Sequence, residues 1–129
     1  MRRNRRGLAV VELAVCLPIL MLLVFGTLEA CSMIHLKQSL SLAAYEGARL
    51  ALVPGATSAD AQSQTEQILT DRRVTDFSVT VSPDVGGSPE GTIIQVTAEA
   101  NCSGNSIVGD WFYDGKSLKT TVQMMKEFD

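Results

Sequence analysis

Gly7-Leu8-Ala9-Val10-Val11-Glu12 is the stretch whose reading decides this chain. Arg2, Arg3, Arg5 and Arg6 precede it on a very short tail, and no charge follows from Leu13 to Gly26. Glu12 therefore stands inside what otherwise reads as a membrane segment. A carboxylate near the bilayer core costs a few kcal/mol, so an acid placed there is a functional feature by default.

Outward from that stretch, the charge divides sharply. The tail up to Gly7 carries +4, while the remainder holds seven Lys and Arg against all fourteen acids, for −7. An acidic body argues against nucleic acid, whose phosphates require a basic surface. A basic tail beside an apolar helix reads as positive-inside orientation, with the N-terminus cytoplasmic and the body on the far side. Leu8 to Leu28 would cover about 31 Å as helix, enough to cross a hydrocarbon core. Pro18 falls in its middle and removes one backbone hydrogen bond, which membrane helices tolerate. A cleaved secretory signal would need a small-residue cleavage site, and Leu28-Glu29-Ala30 is a poor one. A lipoprotein site at Leu13-Ala14-Val15-Cys16 is spoiled by the bulk of Val15, and the arginines lack the surroundings of a twin-arginine signal. An uncleaved single-pass anchor is the plain alternative.

Beyond the apolar run the helical pattern continues. Leu36, Leu40, Ala43, Ala44, Gly47, Ala48 and Ala51 recur at three- and four-residue steps, making one face rich in small residues that another element can approach closely. Nothing forces a break before Pro54-Gly55, so one rod is expected from about Leu8 to Leu52. A second helix is expected after Thr57 or Ser58, with Asp60 in its first turn and Ala61, Thr65, Ile68 and Leu69 on its apolar side. Arg72-Arg73 reads as solvated helix termination.

The period then changes to two. Phe77, Val79 and Val81 mark a half-buried strand, and residues 83–91 form a Gly/Pro-rich loop. Ile94, Val96, Ala98, Ala100 and Cys102 share a face of a second strand, and Leu118, Thr120, Val122 and Met124 a face of a third. Trp111-Phe112-Tyr113 is expected to be core or a buried lid, with a protein–protein contact as the sharper alternative. The fold class is α+β: a long N-terminal transmembrane and amphipathic helix, a second short helix, and about three antiparallel strands packing on the first helix. The divisions are a basic leader at 1–7, a transmembrane helix at 8–28, its continuation at 29–53, and a small extracytoplasmic domain at 54–129.

Site chemistry is sparse. Cys16, Cys31 and Cys102 form no metal-ligand spacing with the single histidine, His35, so neither a metal nor a cofactor is expected. Cys31 and Cys102 are the pair available for a disulfide if the body is exported, and two buried thiols are the alternative. No nucleophile elbow or phosphate-binding loop occurs, so the chain does not read as an enzyme and no small-molecule substrate is expected.

A short basic leader ending in Gly, four apolar residues, a Glu at the fifth position and then an apolar helix resemble a type IV prepilin. More closely, Arg5-Arg6-Gly7-Leu8-Ala9-Val10-Val11-Glu12-Leu13, Leu17-Pro18-Ile19-Leu20, Phe25-Gly26-Thr27-Leu28-Glu29 and Ala43-Ala44-Tyr45-Glu46-Gly47-Ala48-Arg49 resemble the TadE-like family. These are minor pseudopilins of the tight-adherence (Tad, or Flp) pilus. Thr120 to Glu127 also resembles the family's final strand. The resemblance implies a pilin-like fold and cutting by a prepilin peptidase between Gly7 and Leu8. It implies that Glu12 sets register against the new Leu8 amine of a neighbouring subunit. Partners would be the peptidase, other Tad pilins and pseudopilins, the inner-membrane assembly platform and membrane lipid. The location would be the bacterial inner membrane or the pilus. Leu13 departs from the aromatic frequent after the acid, and Leu8 from the phenylalanine of many pilins. An unprocessed single-pass anchor carrying an extracytoplasmic binding domain is the alternative.

Overall fold

A computed structural model describes residues 5–127, with side chains from Gly7 onward. Arg2 and Arg3, at the start of the expected leader, lie outside the described residues. Helix α1 runs unbroken from Arg5 to Ala51, through both Gly7 and Pro18. At about 1.5 Å per residue its 47 residues span roughly 70 Å. It begins three residues before Leu8, so the Gly7–Leu8 bond is itself helical. Pro54-Gly55 ends it, with Gly55 at φ 83° and the Val53 amide donating back to the Leu50 carbonyl at 3.0 Å.

Helix α2, Ser58–Asp71, starts at a reciprocal cap. Thr57 Oγ1 accepts the Asp60 amide at 3.2 Å, and Asp60 Oδ2 accepts the Thr57 amide at 2.9 Å. The Thr57 hydroxyl also donates to Asp60 Oδ2 at 2.7 Å, and this bond first, then the Thr57 amide, holds the Asp60 carboxyl below its ordinary range. Ala61, Thr65 and Leu69 are buried against α1, whose Ala43, Ala44, Gly47, Ala48 and Ala51 are buried in turn. The small-residue face is what lets the two helix backbones approach.

Strands β1 (Phe77–Ser82), β2 (Ile93–Asn101) and β3 (Ser117–Met125) form an antiparallel sheet in the order β1-β2-β3. Register pairs Val79 with Ala98, and Val96 with Val122. Val96, Ala98 and Ala100 alternate into a core shared with Met33, Leu36 and Leu40 of α1 and Leu69 of α2, while Ile94 packs with Ala51, Ala61 and Val85. A three-stranded sheet with one apolar face needs such a cover.

Ile94, at the start of β2, packs with Ala51 at the far end of α1, whereas residues just past its end reach Glu29. The strand thus runs back along the helix. The β2–β3 connection sits at the end of the domain from which the apolar half of α1 emerges.

Candidate functional site

Two regions carry the unusual chemistry: the bare half of α1, and the collar where the domain meets it. From Gly7 to Leu28 every residue is exposed except Gly26, which is partly so. This is the reverse of a core helix. Leu8, Val10, Val11, Leu13, Leu17 and Leu20 present a continuous apolar surface far larger than a water-soluble monomer leaves uncovered. The helix is long and apolar enough to cross a membrane. Glu12 is exposed on that surface, one turn from Leu8 on the same face. Gly7, Leu8 and Glu12 thus lie together on the first described turns of one helix.

The collar begins at Glu29, the first buried residue of α1 and 1% exposed. Its Oε2 accepts the Val108 amide at 3.3 Å, and its Oε1 is buried without a hydrogen-bond partner. Sequence reasoning missed Glu29. The signal was there: Glu29, Met33, Leu36 and Leu40 follow the four-three-four steps of a buried helix stripe, and the first member is an acid.

Around Glu29 two turns are stitched together. Asn105 Nδ2 donates to the Thr75 and Asn101 carbonyls at 2.7 and 2.8 Å, and Asn105 Oδ1 accepts the Thr75 amide at 2.8 Å. Thr75 Oγ1 donates to the Gly104 carbonyl at 2.6 Å, and a side chain at Gly104 would crowd Thr75 and Asp76. Beside this joint a groove of about 640 Å³ is lined by Leu28, Cys31, His35, Arg72, Arg73 and Ile107, among others. Arg72 is not simply solvated: its guanidinium donates to Ser39 Oγ on α1 at 3.2 Å.

Two expectations need correction here. Trp111 and Phe112 are neither core nor a buried lid. They stack on each other, with ring centroids 5.1 Å apart, and stay exposed, while only Tyr113 packs back on the core. The turn they occupy projects from the sheet end, where no layer covers it. Cys31 and Cys102 are free thiols, not a disulfide, and only Cys102 is buried. Cys102 lies in the core with Met33 and Leu36, whereas Cys31, two positions from Glu29, points some 200° away around the helix. Burial pushes the Cys102 thiol up, with Lys116 opposing and Glu29 adding to the rise. Cys16 is free and exposed on the apolar half. Among the described residues no group of three His, Cys, Asp or Glu could hold a metal ion.

No curated protein and no solved structure matches the chain. A family model described as TadE-like protein matches residues 7–49, a span that begins at Gly7, takes in Glu12 and Glu29, and ends two residues before α1 does. Over the helix that builds this site, the chain is similar to TadE-like proteins.

Proposed function

We propose that this protein is a membrane-anchored minor pseudopilin that takes part in assembling a Tad (Flp) adhesive pilus. The observation that carries the reading is a coincidence of boundaries. The TadE-like match opens at Gly7, where the sequence passes from its arginine tail into the apolar run, and it takes in Glu12, which is exposed on α1. In this reading residues 8–28 span the inner membrane once, the N-terminus is cytoplasmic and the domain extracytoplasmic. A prepilin peptidase removes the leader, and with it Arg2, Arg3, Arg5 and Arg6, after those charges have fixed orientation.

Cleavage leaves an amine on Leu8. A lone ammonium and a lone carboxylate are each costly in lipid, and they neutralise one another when the Leu8 amine of one subunit meets Glu12 of the next. Mispaired stacking leaves both charges bare, so Glu12 acts as a register check. The apolar surface that lipid covers in the single subunit becomes the contact surface with other pilins. Nothing in this mechanism requires catalysis by the chain itself, a metal or a small-molecule substrate.

Glu12→Ala tests it. Leader removal should persist, because the scissile bond and its arginines are intact, while pilus formation in cells should be lost or strongly reduced. Normal piliation from a fully membrane-inserted Glu12→Ala chain would remove Glu12 from the mechanism.

A further inference from the structure

Among the described residues, the β2–β3 connection carries the two most exposed large apolar side chains outside the bare half of α1, Trp111 and Ile107, with Phe112 beside them. Trp111 is 77% exposed, Ile107 73% and Phe112 40%. They are not scattered over the surface. The Glu29–Val108 bond pins the loop to α1 one residue past Leu28, where the helix ceases to be exposed on every side. Ile107 lines the same groove as Leu28 and Cys31. Trp111 is three residues from Val108 and so lies within about 10 Å of it. The stitching of Asn105 to Thr75 and Asn101 makes the loop's base a fixed platform.

We propose that residues 107–112 form an interfacial anchor that rests in the lipid headgroup layer beside the point where α1 leaves the membrane. This rests on the reading of residues 8–28 as the membrane span. The occupant is lipid because Ile107 shares a groove with Leu28 and Val108 is bonded to Glu29, so the loop starts beside the surface that lipid covers in this reading. Its chemistry suits a boundary rather than the hydrocarbon. Tryptophan has an apolar body with an indole N–H that favours the wet edge of a bilayer. Asp110 and Asp114 flank the aromatic pair and keep the loop from sinking deeper. With α1 as one attachment and this loop as a second, the domain is held against the membrane in one rotational setting. That fixes which face of the domain meets an arriving subunit.

Trp111 is the only tryptophan in the chain, so its fluorescence reports on this loop alone. The full chain is reconstituted into nanodiscs of phosphatidylethanolamine and phosphatidylglycerol, and discs carrying a single copy are isolated. The expected emission is blue-shifted from that of the denatured chain. It should be quenched by lipids brominated near the headgroup end of the acyl chain, and its quenching by aqueous iodide should fall severalfold. A chain that co-elutes with the discs but shows water-like emission and no bromolipid quenching overturns the loop anchor and leaves the α1 span standing. A chain that fails to co-elute overturns both. A blue shift seen only in discs with two or more copies, and insensitive to bromolipid, overturns it in favour of contact with a second copy.

Discussion

Glu29, the first buried residue of α1, accepts the Val108 amide at 3.3 Å across seventy-nine positions of sequence. This single bond ties the β2–β3 loop to the helix at the base of the domain. Glu29→Ala removes the acceptor and leaves a small void, whereas Glu29→Gln retains an acceptor of nearly the same shape. One such bond is worth about 1–1.5 kcal/mol, so amide exchange at Val108 should quicken about tenfold in the Ala variant. The Gln variant should stay close to the parent. Equal exchange in all three chains would mean that the loop is held by other contacts.

At Gly47, α1 and α2 approach closely. A side chain there would collide with the Thr65 hydroxyl and press on the Ala61 carbonyl at 3.1 Å. Alanine favours the helix by about 1 kcal/mol, but overpacking costs about 1–3 kcal/mol, so Gly47→Ala should lower the melting temperature. Adding Thr65→Ala removes the hydroxyl and should recover part of the loss. A Gly47→Ala chain at least as stable as its parent, by thermal unfolding in detergent, refutes the close packing.

The thiols should separate by pH. Cys102 is buried in the core and its thiol is pushed up, while Cys31 is exposed. The thiolate is the reactive form. At pH 8, iodoacetamide should therefore modify exposed Cys31 readily and buried Cys102 only slowly, and the Cys102 rate should climb only above the ordinary thiol range. Because the folded thiol is the harder one to ionise, its contribution to stability is complete below the ordinary thiol range and is lost as pH rises through the folded value. Peptide mapping that shows Cys102 labelled as fast as Cys31 in the folded chain would place it outside the core.

Much of the architecture was legible in the sequence because it follows from periodicity. The stripe from Leu36 to Ala51, the Thr57–Asp60 cap and the alternating strands each announce their own partners locally. The collar was harder to read because its meaning is non-local. Trp111-Phe112 looks like core when only its hydrophobicity is counted, and its exposure follows from the sheet ending at Asn101 and Ser117. The free Cys31 and Cys102 depend on a rotation about α1 that sequence spacing does not convey. Glu29 would have been found by following the buried stripe one step further toward the membrane.

The central claim, that the chain is a processed pseudopilin, rests on the bond between Gly7 and Leu8. The direct measurement is the N-terminal sequence of the chain isolated from membranes of cells that contain its cognate prepilin peptidase, beside cells that lack it. The account predicts a start at Leu8 with the peptidase and an intact Met1 without it. An intact Met1 in the presence of active peptidase would contradict it, leaving an unprocessed anchor with Glu12 at the membrane edge.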